Sequence, residues 1–282
     1  MRKTLIFGAG VTGKKIYNQI KTSADVIGFL DNNQSYWNTK VNNIPVLGNV
    51  SVLDSVEYDE IVIGSLPGLN AIKDQLLDAG VPTAKIRTDY LETSYNARVN
   101  FLYDFAELNK ERAKQYAVAE GGVFQGEFSK NINSCFPDST LYLFDTFEGF
   151  DKRDISIEEK NGYSNEKANH LNITSEELVL NKMPYKDKVI IRKGYFPETT
   201  DGLEDTMYFF VSLDFDLYNP ILEGLRFFVP RLAPGGVILV DDYFNPGFLG
   251  VAQAVKDYEK ECKLNLRMLP IGDHYGLAII VC

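Results

Sequence analysis

The 282-residue sequence predicts an α/β protein made of two parallel-sheet units in series, and three observations carry that prediction. Twice an apolar strand runs into a glycine turn and then a helix, in "KTLIFGAGVTGKKIYNQI" and in "YAVAEGGVFQGEFSK". After each start, short apolar strands alternate with helical patterns. Two later strands, "YFFVSL" and "GGVILV", end directly on acids, and the carboxyl ends of parallel strands are where such sheets gather ligands.

In the first unit the opening strand covers residues 3–7, and the helix after it offers Val11, Ile16 and Ile20 as an inner face. Gly8, Gly10 and Gly13 fit GxGxxG in the strand–turn–helix context that lets a phosphate approach helix-terminal N–H groups. The next strand, "DVIGFLD", ends at Asp31, 18 residues beyond Gly13, where a dinucleotide fold places its ribose-binding acid. Strands follow at 60–65 ("EIVIGS") and 84–90 ("AKIRTDY"), separated by a helix over 69–79. The alternation then stops, after about half of a full dinucleotide fold. The first domain is therefore read as 1–92 and the second as 93–282, bridged by a helix over 97–115 whose apolar stripe is Phe101, Leu102, Phe105 and Leu108.

The second unit opens with a strand at 116–120, and its turn differs chemically from the first. Glu120 precedes Gly121 and Gly122, so a carboxylate lies beside the cleft and disfavours an anion there. A ligand with a cationic amine suits the turn better, with Gly122 and Gly126 allowing close backbone approach. S-adenosylmethionine carries both an amine and a sulfonium. The strand of "STLYLFDTFEGF" ends at Asp145, the position for an acid that accepts two ribose hydroxyls. A charged, Asn-rich insertion over 150–187 reads as a lid containing His170 and one helix, capped by Thr174 or Ser175.

Asp214 and Asp216 follow the next strand, and Asp241 and Asp242 follow the strand at 236–240. A crossover of this length can set neighbouring strand ends side by side. Crowded carboxylates raise one another's pKa, so their convergence points to a bound hard cation, Mg²⁺ or another divalent ion, held by Asp214, Asp241 and Asp242. Asp216 then reads as the general base for a substrate hydroxyl. His274, in the turn "IGDHYG" between the last strands, is a second catalytic candidate.

On these residues the chain from about 116 to 282 resembles the macrocin O-methyltransferase (TylF/MycF) family of class I S-adenosylmethionine-dependent enzymes, which methylate sugar hydroxyls. The likeness is carried by "VAEGGVFQGEFS", "LYLFDTFEGFD", "IRKGYFPET", "VSLDFDLYNP" and "LAPGGVILVDDY". It implies a doubly wound sheet of about seven strands with an antiparallel last strand, matched by "NLRMLPI" and "GLAIIVC". It also implies that Glu120, Gly122 and Asp145 serve the cofactor, with Gly126 and the Gly194 of "IRKGYFPET" counted beside them, and that Asp214, Asp241 and Asp242 hold the metal.

The first unit resembles the small Rossmann-like domain in front of sugar acyltransferases and polysaccharide-biosynthesis epimerases, through "LIFGAGVTGKKI", "VIGFLDNN" and "NNIPVLG". That implies a sugar-nucleotide or docking role. A module that binds no ligand is an alternative, as is a nicotinamide-dependent sugar oxidoreductase or epimerase, although no fitting YxxxK pair is visible. The expected acceptor is a small molecule or glycan, a sugar nucleotide first among them, and assembly into a homo-oligomer is compatible with it.

Composition narrows the remaining classes. A net charge of −10 without a Lys/Arg cluster disfavours nucleic acid. The N-terminus runs from a basic pair straight into a strand, without a signal segment, and no apolar run is long enough to enter a membrane. Cys135, Cys262 and Cys282 are odd in number and lack CxxC spacing, which disfavours a disulfide framework or structural zinc and favours the cytoplasm.

Overall fold

The computed structural model describes the chain except Leu66, Pro67, His274, Val281 and Cys282, and describes only the backbone of residues 92–96. The chain divides into two compact units, Met1–Tyr95 and Asn96–Cys282.

The first unit contains β1 (Lys3–Phe7), α1 (Val11–Ile20), β2 (Asp25–Leu30), β3 (Lys40–Val41), β4 (Ile44–Gly48), β5 (Glu60–Ile63), α2 (Leu69–Asp78) and β6 (Ile86–Arg87). Among the described residues these strands form one sheet in the order β3-β4-β2-β1-β5-β6. β1 lies parallel between β2 and β5, and its Leu5, Ile6 and Phe7 are buried, as expected for a strand covered on both faces. α1 turns Ile16 and Ile20 inward. A Cβ at Gly13 would stand 1.8 Å from the Gly8 carbonyl oxygen, so this glycine seats the helix on the turn.

Two details depart from the expected pattern. Asn42 and Asn43, both at positive φ (50° and 67°), make a tight turn joining β3 and β4 as an antiparallel pair. The expected strand at 84–90 shrinks to the two residues of β6, because α3 (Asp89–Ala113) begins at Asp89. An acid at the first turn favours a helix start, and Arg87 binds that carboxylate through two nitrogens, at 2.7 and 2.6 Å. The helix expected over 97–115 thus starts eight residues earlier.

The second unit contains β7 (Ala117–Gly121), α4 (Glu127–Cys135), β8 (Leu141–Asp145), α5 (Lys152–Asn161), α6 (Glu176–Lys182), β9 (Val189–Lys193), β10 (Tyr208–Leu213), α7 (Tyr218–Phe228), β11 (Leu232–Val240), α8 (Leu249–Cys262), β12 (Arg267–Pro270) and β13 (Leu277–Ile280). Among the described residues its seven strands run in the order β12-β13-β11-β10-β7-β8-β9. β13 is antiparallel to both neighbours, and the other pairs are parallel. α7 and α8 cover one face with Ile221, Leu225, Phe228, Val251 and Val255, while α3 and α4 cover the other with Leu102, Ala106, Phe128 and Ile132. The sheet is doubly wound, and every residue of β10 is buried between the layers.

The insertion over 150–187 holds two helices rather than one. α6 is capped by Ser175, which accepts from Leu178 N–H at 3.1 Å. α5, unexpected from the sequence, is capped by Asp151, and its buried face consists of Asp154, Ile155 and Glu158. Two acids on the inner face disguise the helix, since an apolar-periodicity reading assigns acids to the outside. Because α5 packs through this buried face, the first part of the insertion is a brace against the core.

Candidate active site

The site forms where β7, β8, β10 and β11 end together. Asp214 N–H donates to Gly121 O at 2.8 Å and Asp241 N–H donates to Leu213 O at 2.9 Å, so both acids continue their strands directly into the cleft. Between Asp214 and Asp216 the Phe215 ring turns inward. It packs against Phe196 with centroids 4.9 Å apart and ring planes tilted by 40°, and a Cβ on Gly121 would lie 2.2 Å from it. Gly122 (φ 80°) is equally constrained, because a Cβ there would lie 2.0 Å from Asp214 O. The paired glycines of "EGG" therefore let the acid-bearing loop close down on β7.

Asp214, Asp216, Asp241 and Asp242 converge and pair two by two, Asp214 with Asp241 and Asp216 with Asp242. Burial and then the neighbouring carboxylates push Asp214 and Asp216 well above the usual range. Burial and Asp241 also raise Asp242. Burial pushes Asp241 up too, but Arg98 and the hydrogen bonds it accepts outweigh this and bring it below the usual range. Asp214 and Asp241 keep 26% and 21% of their side-chain surface open, enough for a ligand to reach them.

Arg98, on α3, was not among the residues singled out from sequence. Its Nη1 donates to Asp241 Oδ2 at 2.6 Å and to Asp214 Oδ2 at 3.3 Å, and its Nη2 donates to Ser212 Oγ at 3.1 Å. An arginine in a helix expected to bridge two units gives no sequence signal; only the fold brings it 143 positions along the chain to Asp241. Among the described residues no three His, Cys, Asp or Glu side chains are gathered as a metal ion would need. The donor set is nevertheless one of carboxylate oxygens, the chemistry a hard divalent cation takes, with the guanidinium of Arg98 hydrogen-bonded to two of the acids.

Beside the acids lies the glycine turn. Glu120 is buried, accepts a hydrogen bond from Ser129 Oγ, and has its pKa pushed up to about 8, chiefly by burial. A carboxyl in that state gains most from a cationic partner. Asp145 Oδ2 accepts from Val123 and Phe124 N–H at 2.7 and 2.9 Å, and Oδ1 accepts from Phe147 N–H at 2.7 Å. It thus closes the turn and keeps part of its acceptor capacity. Gly126, in the left-handed region, is the N-cap of α4, and Gly194 donates its N–H to Asp145 O at 3.0 Å, which brings the end of β9 alongside.

In the first unit Asp31 repeats this grammar. Its Oδ2 accepts from Ala9 N–H at 2.7 Å and its Oδ1 from Asn33 N–H at 2.8 Å, while Gly8 lies against Gly64 and the side of Gly10 faces open space. His274 lies outside the described residues. His170 is exposed and pairs with Glu166 on the insertion at 2.5 Å.

Residues 116–277 match the family model described as Macrocin-O-methyltransferase (TylF), and residues 1–87 match the model C2185-like, N-terminal. Similar proteins include the 8-demethyl-8-(2,3-dimethoxy-alpha-L-rhamnosyl)-tetracenomycin-C 4'-O-methyltransferase of Streptomyces olivaceus, 27% identical over 143 residues, 45% of this chain and 52% of that protein. Another is the mycinamicin III 3''-O-methyltransferase of Micromonospora griseorubida, 28% identical over 153 residues, 50% of this chain and 59% of that one. The chain spans about half the length of these curated relatives. In fold it is similar to the O-methyltransferase NovP, with TM-score 0.52 at 20% identity, covering 65% of this chain and 79% of that one.

Proposed function

The chain belongs to the macrocin-O-methyltransferase (TylF) family, and from that premise we propose that it methylates a sugar hydroxyl at the expense of S-adenosylmethionine, with a divalent cation assisting. The acceptor is a nucleotide sugar or glycan of polysaccharide or natural-product biosynthesis. The observation that carries this reading is the adjacency of two chemistries at the ends of neighbouring strands: the Glu120–Asp145 turn and the Asp214–Asp216–Asp241–Asp242 cluster.

S-adenosylmethionine supplies the electrophilic methyl group, and Mg²⁺ held by Asp214, Asp241 and Asp242 would lower the pKa of the acceptor hydroxyl. Glu120 provides the counter-charge for a cationic amine. Asp145, already pinned to the turn, offers its remaining lone pairs to ribose hydroxyls. Asp216 takes the proton that leaves the sugar oxygen, and a carboxylate with raised pKa is the better base at neutral pH once it has lost its own proton. Phe215 holds this loop in register, and orientation of this kind can supply up to about 7–11 kcal/mol of the barrier reduction.

For the first unit we read a nucleotide- or sugar-nucleotide-binding module, supported by the open side of the glycine turn at Gly10. The deciding experiment is a labelled-methyl transfer screen over nucleotide sugars, with and without Mg²⁺, scored by mass. Label on a sugar, dependent on Mg²⁺, is expected. No label on any sugar would remove the reading, and equal transfer under chelation would remove the metal from it.

A further inference from the structure

Arg98 lies outside the segment 116–277 that matches the methyltransferase family, yet it reaches the centre of the acid cluster. The guanidinium is held on several sides. Its carbon stands 4.5 Å from the centroid of the Phe128 ring, Ser212 Oγ accepts from Nη2 at 3.1 Å, and Nη1 meets Asp241 Oδ2 and Asp214 Oδ2. With its side chain only 11% exposed, Arg98 occupies a built seat. A surface arginine that had merely swung onto nearby acids would lack both the aromatic platform and the strand hydroxyl.

The carboxylate oxygens it binds belong to two of the three residues assigned above to a divalent cation. We propose that Arg98 is a positioning residue that holds Asp214 and Asp241 by oxygens a divalent cation needs, and thereby sets the cation affinity of the site. This rests on the metal-assisted reading of the cluster. A cation entering must share these oxygens with the guanidinium or displace it, against the repulsion of like charges at short range. The site would therefore bind its metal loosely in the resting protein, and the acceptor oxygen would contribute to holding it.

The test is Mn²⁺ binding to the 282-residue chain without cofactor, followed by electron paramagnetic resonance and isothermal titration, for wild type, Arg98→Met and Arg98→Lys. The Met variant keeps much of the packing on Phe128 and frees both carboxylates, so Mn²⁺ should bind at least tenfold more tightly than to wild type and should raise its melting temperature more. The Lys variant, whose ammonium lacks the planar fork, should fall between. Should Arg98→Met fail to fold, tighter Mn²⁺ binding by Arg98→Lys than by wild type carries the proposal and unchanged binding overturns it. Equal or weaker binding by a folded Met variant, with Mn²⁺ bound by wild type, overturns the role of Arg98 and leaves the metal reading standing. Binding by none of the proteins removes the metal reading and this proposal with it.

Discussion

Asp241 carries the ionic centre of the cluster: it is the acid that Arg98 keeps below the usual range while burial and like charge raise Asp214 and Asp216 above it. Asp241→Asn should therefore lower kcat by about 100-fold or more, the usual scale for losing one preorganised charge. Affinity for S-adenosylhomocysteine, measured by calorimetry, should stay within a few-fold. A matching loss in both would assign Asp241 to cofactor binding. Glu120 makes a second prediction, because its pKa of about 8 leaves it mostly protonated at neutral pH. A cationic amine would expel that proton, so cofactor binding at pH 7 should release close to one proton in wild type and none in Glu120→Gln. Titration in buffers of different ionisation enthalpy reads this directly, and equal release in both proteins would clear Glu120 of the role.

At the scale of elements, α5 and α7 depend on each other. α7 begins after Leu217, which offers no side-chain cap, and Glu158 Oε1 of α5 accepts from Tyr218 N–H at 2.9 Å instead. Asp154 Oδ1 accepts from Tyr195 Oη at 2.8 Å and from Asn219 Nδ2 at 3.0 Å. These contacts begin only two residues after Asp216, so the brace fixes the loop that carries the proposed base. Glu158→Leu should cost about 1–2 kcal/mol of stability, as lost caps do, and lower kcat; Glu158→Gln, which keeps the acceptor, should restore most of both. Equal stability in the Leu variant would show that the cap is dispensable.

Asp154 also sets a pH dependence. Burial first, against the hydrogen bonds it accepts, raises it to about 6, so between pH 4 and 6 the folded chain binds more protons than the unfolded one. Its contribution is present below the unfolded pKa and is lost, by about 3 kcal/mol, as pH rises through 6. Asp154→Asn keeps the acceptor oxygen and removes this loss, so its stability in urea should gain on wild type from pH 4 to pH 7. A pH-independent difference would refute the assignment.

Across the whole molecule, each unit has its own core and its own glycine turn closed by a strand-end acid. Gly13→Ala should destabilise the first unit and Gly122→Ala the second, each by more than about 2 kcal/mol, since the added Cβ meets backbone at 1.8 and 2.0 Å. Calorimetry should show each variant shifting a different transition; a single shared transition moved by both would mean that the two cores unfold as one.

The seven-stranded sheet with its antiparallel close was implied by the family resemblance; the alternation of strands and helices and the acids at the strand ends were legible in the residues themselves. These features are written locally, in periods of two and 3.6 residues and in turn chemistry. Three things were not legible. The start of α3 at Asp89 was hidden because a two-residue edge strand leaves almost no pattern. α5 was hidden because its inner face carries acids, whose burial makes sense only once Tyr218, Tyr195 and Asn219 are there to donate to them. Arg98 was hidden because nothing near it in the chain needs a cation. Which charges meet across a cleft is a matter of distance in space, and only the folded chain sets a guanidinium at 143 positions' remove within 2.6 Å of the acid it neutralises.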